Sequence, residues 1–412
     1  MSTPTPFTIA IPDSELQSLK QKLDSTRYPQ EIEDTGSAYG APVPDVKRIA
    51  TYWKDTYDWR KAEAKLNKLP NYMTKIGADG FDPIDIHFIH QKSKNENAIP
   101  LIFVHGWPGS FLEVTKILPI LADSEKNGGP AFHVVAPSLP NFGFSGFVNK
   151  KGFGQKQYTE TCHKLMLSLG YDKYVTQGGD WGALITRTMG KLYPTHIPAS
   201  HINMIATLPP PWWNIFAWAK FLIAIALNLL PASEKAGLER TQWTQRETSG
   251  YRQLQMTKPQ TVGFSLADSP VGLLAWVYEK LVSWTDDYAW TDDEVCTWMS
   301  IYWFSTAGPA ASVNIYYESE RGEFVAFDMN NRAANRHSPH LKLGFSIFPK
   351  ELVLLPRAWG RSLGNVVFER EHERGGHFAA YENPEALAGD LMVMFGKGGA
   401  AGGAVEGKSG YA

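Results

Sequence analysis

Cysteine and net charge are both scarce in this chain of 412 residues. Its two cysteines, Cys162 and Cys296, form no CxxC pair, which argues against a disulfide framework and against a cysteine metal site. The formal net charge is -2, and neither a basic tail nor a long run of like charges is present. We therefore expect a protein of a reducing compartment that uses no metal and no cofactor and does not bind nucleic acid.

Long apolar runs are missing as well. The first residues, MSTPTPFTIAIPDSE, contain no basic region and no extended apolar segment, so we predict no signal peptide, no N-terminal anchor and a cytoplasmic location. The most apolar stretch, residues 221–230 (FLIAIALNLL), is much shorter than the roughly 20 apolar residues of a membrane span. We predict that it forms a buried helix or a helix facing an inserted cap.

Alternation of short apolar strands with helices is the main pattern that is present. From Ile99 onward, strands at residues 99–104, 133–136 and 174–177 each run into a Gly/Pro-rich loop, and helical segments separate them. This pattern predicts an α/β fold with a mostly parallel sheet flanked by helices and with function at the carboxyl ends of the strands. Aromatic residues make up 13% of the chain, which suits an apolar site and equally a well-filled core.

The chain divides by pattern into successive parts. Residues 1–97, with helical segments and one alternating strand, form an N-terminal extension to a core that begins at residues 98–208. Residues 209–344 are rich in tryptophan and mainly helical, which indicates an inserted cap, and the core alternation resumes at residues 345–396. The Gly/Ala/Ser-rich residues 397–412 predict a flexible tail.

The strongest local motif is residues 178–182 (GGDWG), directly after a predicted strand. It has the small-x-nucleophile-x-small form of a nucleophile elbow, in which small residues allow a strained turn that lifts the central side chain above the sheet. Asp180 would be that nucleophile. A glycine-rich turn in which Asp180 merely caps a helix fits these five residues equally well.

Residues 105–110 (HGWPGS) end the first core strand and occupy the position of an oxyanion-hole loop. The backbone amides of Trp107 and Trp181 would be its two donors. His105 itself is predicted to pack in the loop and not to act as a base, and an ordinary turn would also explain the motif.

His377, in GGHF after the last strand, matches the chain order of nucleophile, acid and histidine in α/β hydrolases. Glu351 follows the preceding strand and would orient that imidazole. A structural histidine and a surface glutamate beside Lys350 are the alternatives. The nearest competing histidine, His372, lies in the charged run EREHERG, which predicts a solvated position.

Together these motifs resemble those of epoxide hydrolases of the α/β-hydrolase fold, of the microsomal type that carries an N-terminal extension. The resemblance extends over residues 7–395 and includes HGWPGS, GGDWG, the cap segment at residues 249–272 and GGHF. It implies that Asp180 is the nucleophile, with His377 and Glu351 as its partners. It also implies two cap tyrosines, Tyr251 in SGYRQLQ and Tyr316, which we prefer over its neighbour Tyr317.

The resemblance further implies a reaction and partners. A small apolar epoxide would alkylate Asp180, the tyrosines would protonate the epoxide oxygen, and water activated by His377 would release a vicinal diol. A homodimer is expected on the same ground. The membrane anchor of mammalian members is missing from this sequence, which points to a soluble protein as in fungal and bacterial relatives.

Two other functions remain open from the sequence. A haloalkane dehalogenase would share the aspartate, the following tryptophan and the histidine, but halide as leaving group needs no proton from tyrosine. A catalytically inactive, ligand-binding hydrolase fold would usually have lost a member of the triad, and all candidates are present. A serine esterase is disfavoured because no Gly-x-Ser-x-Gly motif occurs.

Overall fold

The computed structural model describes residues 3–209, 215–322, 324 and 337–412. A nine-stranded sheet forms its centre, with the strand order β1-β2-β3-β5-β4-β6-β7-β8-β9. Strands β4 to β9 pair in parallel, whereas β1, β2, β3 and β5 pair antiparallel in that order. The strands are β1 (Thr5–Pro6), β2 (Asn71–Ile76), β3 (Ile84–Gln91), β4 (Ile99–Val104), β5 (Phe132–Pro137), β6 (Val175–Gly178), β7 (Ala199–Ile202), β8 (Ser338–Ile347) and β9 (Gly364–Glu371).

Helices cover this sheet and shield its apolar strands, such as β4, from water. Every residue of β4 (IPLIFV) is buried, as expected for a continuous apolar strand at the centre of a parallel sheet. The core helices are α4 (Val114–Ala122), α5 (Gln155–Ser168), α6 (Asp180–Leu192), α14 (Arg357–Gly360), α15 (Ala379–Glu382) and α16 (Pro384–Phe395). The mostly parallel sheet with flanking helices agrees with the α/β-hydrolase fold predicted from the alternation.

The N-terminal extension is joined to the sheet and to the cap. Its helices are α1 (Asp13–Asp24), α2 (Val43–Asp55) and α3 (Trp59–Leu66), and its strands β2 and β3 continue the sheet beside β5. The indole Nε1 of Trp53 donates to Ser300 Oγ at 3.1 Å, and Lys22 Nζ lies 2.7 Å from Asp268 Oδ1. The extension thus braces the cap against the core. The sequence pattern missed β2, whose segment NYMTKI carries a lysine and alternates poorly.

The cap is helical, as predicted, within the part of it that the structure describes. Its helices are α7 (Ile215–Ala226), α8 (Ala232–Trp243), α9 (Gly250–Thr257), α10 (Pro259–Asp268), α11 (Pro270–Ser283), α12 (Asp292–Trp303) and α13 (Asn314–Ser319). The sheet resumes earlier than expected, because β8 begins at Ser338, inside the range assigned to the cap. The first half of β8 contains several polar residues, so the sequence pattern did not identify it as a strand.

We expected residues 221–230 to form a buried helix or a helix facing an inserted cap, and the structure shows that this stretch is not buried. Helix α7 attaches to the core through Trp218 and Phe221, whose rings contact Trp359 at centroid distances of 6.1 and 5.0 Å. Leu222 and Ile223 are instead 57% and 53% exposed. Helix α7 is apolar around almost its whole circumference. Within the described residues, however, only the side that carries Trp218 and Phe221 packs against the core. Over the same residues, no helix combines the length and apolar character that crossing a bilayer would require.

The glycine-rich tail was predicted to be flexible, and the structure corrects this. Ala401 and Val405 are buried, at 1% and 3% exposure. The amide of Ala131 donates to the carbonyl of Gly410 at 2.7 Å, and the amide of Gly410 donates to Asn97 at 2.8 Å. Composition alone misled here, because small residues also allow a chain to turn repeatedly while lying close against a surface.

Candidate active site

Asp180 lies at the sharp turn between β6 and α6. Its φ of 50° is in the left-handed region, which is strained for a residue with a side chain. The turn needs glycine on both sides: a Cβ at Gly182 would overlap the carbonyl of Val104, and one at Gly178 would overlap Gly182. Gly106 is needed as well, since a Cβ there would overlap the Asp180 carboxylate. This is the geometry of a nucleophile elbow and not of a simple helix cap.

His377 and Glu351 reach this carboxylate from the loops after β9 and β8. His377 Nδ1 lies 2.6 Å from Glu351 Oε1, and Nε2 lies 3.4 Å from Asp180 Oδ2. The amide of Leu352 donates to the same Glu351 oxygen at 2.6 Å, which orients the carboxylate. Burial alone would lower the pKa of His377, but the two carboxylates together raise it well above its usual value.

The loop after β4 places a backbone donor beside Asp180. The amide of Trp107 donates to Asp180 Oδ1 at 2.8 Å. Trp181 follows Asp180 in the first turn of α6, where a backbone amide has no partner inside its own helix. His105 packs beneath the loop: Nδ1 lies 2.9 Å from the Gly106 carbonyl, and Nε2 accepts from Leu139 at 3.1 Å. Burial lowers the pKa of His105 to about 4, which keeps this histidine neutral.

The cap places Tyr251 and Tyr316 above Asp180. Their rings are 5.8 Å apart at 86°, and both side chains line the pocket that contains Asp180. The Trp107 indole stacks on Tyr251 at 5.2 Å, and the Trp181 ring meets Tyr316 edge-on at 5.0 Å. Burial raises the pKa of both phenols, so both hydroxyls remain available as donors.

The neighbouring Tyr317 occupies a different environment. It is partly exposed, and the guanidinium of Arg321 lies 3.6 Å from its ring centroid. Tyr316 is 2% exposed and lines the pocket that contains Asp180. The structure therefore brings Tyr316, and not its neighbour, together with the other predicted site residues.

The pocket above Asp180 has a volume of about 390 Å³. Between the tyrosines and the strand ends its wall is mostly apolar, formed by Leu184, Met204, Leu208, Leu352, Val353 and Leu355. A wall of this kind favours an apolar ligand with few polar groups, which would meet the carboxylate and the hydroxyls at one end.

His372 was predicted to be solvated, and this was wrong. Its Nε2 lies 2.7 Å from Oδ2 of Asp390, which is fully buried, and its ring stacks on Phe348 at 4.6 Å. Arg370 donates to the other Asp390 oxygen at 2.7 Å. His372 therefore pairs with a carboxylate in helix α16 and not with a site residue. The charged residues around His372 suggested a solvated position. The pairing with Asp390 could not be predicted, because Asp390 is distant along the chain.

Glu113 is the site residue that sequence reasoning missed. It is buried, and its carboxyl group packs against Gly109, where a Cβ would overlap Oε1. Burial raises its pKa to about 8; the Asp180 and Glu351 carboxylates add to this and His377 opposes it. In the sequence, Ser110 and Glu113 have the spacing of a helix capping box, which gave the acid an ordinary explanation.

Sheet topology and site geometry together define the class of protein. A mostly parallel sheet with an elbow nucleophile, then an acid and then a histidine along the chain is an α/β hydrolase. A family model described as alpha/beta hydrolase fold matches residues 99–247. A second model, described as epoxide hydrolase N terminus, matches residues 4–114.

Comparison with known proteins identifies the family to which this chain belongs. A putative epoxide hydrolase of Stigmatella aurantiaca (strain DW4/3-1) is 38% identical over 400 residues, which are 95% of this chain and 84% of that protein. Epoxide hydrolase 1 of Sus scrofa is 36% identical, over 95% of this chain and 88% of its own length. The crystal structure of juvenile hormone epoxide hydrolase from Bombyx mori is 30% identical and matches with a TM-score of 0.84, over 95% of this chain and 93% of that one. This chain therefore belongs to the epoxide hydrolase family and is an enzyme of that family, which confirms the resemblance seen in the motifs.

Proposed function

We propose that this enzyme converts small apolar epoxides to vicinal diols through a covalent ester on Asp180. The observation that carries the proposal is a carboxylate and a pair of phenol hydroxyls facing one apolar pocket. A carboxylate is ionised at neutral pH and can attack carbon without a base. The hydroxyls of Tyr251 and Tyr316 are donors for the oxygen that leaves the carbon.

In the first step, a carboxylate oxygen of Asp180 attacks one epoxide carbon and the carbon–oxygen bond of the ring breaks. The electron pair goes to the ring oxygen, which takes a proton from the tyrosine pair. The two tyrosine hydroxyls suit this proton transfer because they face one pocket, where both can donate to the ring oxygen as it becomes negatively charged. The result is an alkyl ester carrying a hydroxyl group on the neighbouring carbon.

In the second step, water attacks the ester carbonyl carbon while His377 Nε2 takes its proton. Esterification removes the charge of Asp180, one of the two carboxylates that raise the pKa of His377. The histidine then loses its proton more easily and becomes a base when a base is needed. The amides of Trp107 and Trp181 would hold the oxyanion. When the carbon–oxygen bond of the ester breaks, His377 protonates the departing diol, and the proton left on Asp180 restores the tyrosine.

Incubation of His377→Gln with a styrene-type epoxide tests this sequence of steps. The ester should accumulate on Asp180 and appear as added mass equal to the epoxide, whereas Asp180→Ala should show neither adduct nor diol. A dehalogenase would instead release halide from a bromoalkane and form no diol from the epoxide. The tyrosine pair favours the epoxide, because a halide leaves without a proton.

A further inference from the structure

The turn at residues 106–109 lies between two carboxyl groups. On one side, a Cβ at Gly106 would overlap the Asp180 carboxylate, and the Trp107 amide donates to that carboxylate at 2.8 Å. On the other side, a Cβ at Gly109 would overlap Glu113 Oε1. The turn is closed by a 3.1 Å hydrogen bond from the Gly109 amide to the Gly106 carbonyl. Movement of the turn relative to Glu113 would therefore also move the Trp107 amide.

Two carbonyl groups of this turn are held by the cap. Trp298 Nε1 donates to the Pro108 carbonyl at 2.7 Å, and the Tyr302 hydroxyl donates to the Gly109 carbonyl at 2.7 Å. The cap therefore holds the turn through its carbonyls, whereas the Glu113 carboxyl group packs directly against Gly109 from the other side.

We propose that Glu113 is a positioning residue for ester hydrolysis, which holds the 106–109 turn and its Trp107 amide in place. This inference rests on the proposed ester on Asp180. A protonated carboxyl group fills the space beside Gly109 and adds no charge beside the oxyanion. An ionised carboxylate would place a negative charge there and oppose the charge that the hydrolysis step creates.

The protonation state follows from what surrounds Glu113. Asp180 on α6 and Glu351 after β8 disfavour its ionisation, His377 after β9 favours it, and Tyr302 on α12 is neutral. Burial is the largest influence and raises the pKa of Glu113 to about 8. In the ester, Asp180 carries no charge and no longer disfavours the ionisation of Glu113. The ester should therefore decay at a rate that rises with pH as His377 loses its proton and falls again at more alkaline pH as Glu113 ionises.

The experiment is to form the ester rapidly with a styrene-type epoxide and to follow its decay by quenched-flow mass spectrometry between pH 6 and pH 10. Glu113→Ala should slow decay at pH 7 by roughly 10-fold or more, less than the roughly 10²- to 10³-fold that complete loss of an oxyanion donor costs. Glu113→Gln should restore most of the rate, because glutamine has nearly the same shape and fills the same space beside Gly109, and it should lack the alkaline fall. Glu382→Gln is the matched control, since Glu382 is a second, partly buried acid near His377, and it should retain the fall.

An alkaline fall that persists in Glu113→Gln, or that disappears in Glu382→Gln instead, would overturn the role of Glu113. Equal decay rates in the wild type and Glu113→Ala at pH 7 would do the same. These results all require that the ester is seen. If no ester forms in the wild type or in His377→Gln, it is the mechanism proposed for Asp180 that fails.

Discussion

His377 and Glu351 are joined by a 2.6 Å hydrogen bond between Nδ1 and Oε1, with both side chains almost fully buried. A bond in this position directs Nε2 toward Asp180 and stabilises the imidazolium that forms when the histidine takes a proton. Because Glu351 is buried, solvent cannot readily take its place at Nδ1 of His377. The pair is therefore expected to matter in the hydrolysis step more than in the attack of Asp180.

Replacing Glu351 with glutamine should lower kcat by roughly 10²- to 10⁴-fold, because the imidazolium loses its charged partner and its orientation. Formation of the ester should change much less, so that the ester accumulates during turnover. Stopped-flow and mass measurements on the same samples would separate the two steps. Lys350→Met, at the exposed neighbouring position, is the control and should behave like the wild type. Equal slowing of both steps in Glu351→Gln would contradict this assignment.

Tyr316→Phe should slow formation of the ester by roughly 10²-fold, the usual effect of removing one donor to a developing oxyanion. Tyr317→Phe should leave the rate unchanged, because its ring lies under Arg321 and outside the pocket. The rates are best measured with each change added to His377→Gln, where the ester does not decay. If Tyr317→Phe proved the slower variant, the choice between these neighbours would be reversed.

Gly106→Ala should abolish ester formation, since its Cβ would occupy the space of the Asp180 carboxylate. Gly389→Ala is the matched control: a Cβ at that helical position meets nothing within 4 Å. The control should retain full activity and should not lower the thermal midpoint of unfolding, because alanine favours helix over glycine. Activity and thermal unfolding of both variants test the claim. Normal turnover by Gly106→Ala would show that the elbow has more room than the structure gives it.

Stability should fall between pH 7 and pH 5, because buried histidines must stay neutral. Burial lowers the pKa of His87 to about 3 and that of His105 and His201 to about 4, against about 6.5 in an unfolded chain. Below pH 6.5 the unfolded state binds protons that the folded state does not, so the free energy of unfolding decreases as pH falls toward the folded pKa. Each such histidine should contribute about 2 kcal/mol to the loss at pH 5.

Urea unfolding at the two pH values measures this loss. In His201→Gln the loss should shrink by about 2 kcal/mol, since glutamine has no proton to gain. His337→Gln, at an exposed position, should show the same loss as the wild type. Identical losses in His201→Gln and the wild type would exclude His201 as a contributor.

Much of the fold was predictable because it depends on residues that are neighbours in the chain. The predicted strand at residues 99–104 coincides with β4. The elbow was readable for the same reason: a strained turn requires small residues immediately beside Asp180. Where local signals were poor, as in the polar first half of β8, the predicted boundary was displaced.

The burial of particular polar side chains could not be predicted from their neighbours in the sequence. The charged run around His372 looked solvated, yet Asp390 pairs with that histidine from another helix. Residues 397–412 looked flexible, yet Gly410 is hydrogen-bonded to Ala131 and to Asn97, in the loops that precede β5 and β4. Each error has one cause, since the partner that removes the group from water is far away in the sequence.

The amino-acid sequence by itself determined the order of Asp180, Glu351 and His377 along the chain and the strained glycine turn that presents Asp180. Local backbone geometry is sufficient for these features. Only the tertiary structure decided that Tyr316 and not Tyr317 faces Tyr251, and that Glu113 is a buried acid against the 106–109 turn and not a helix cap. These choices depend on which side chains meet across the cap and the core, and on the water excluded where they meet.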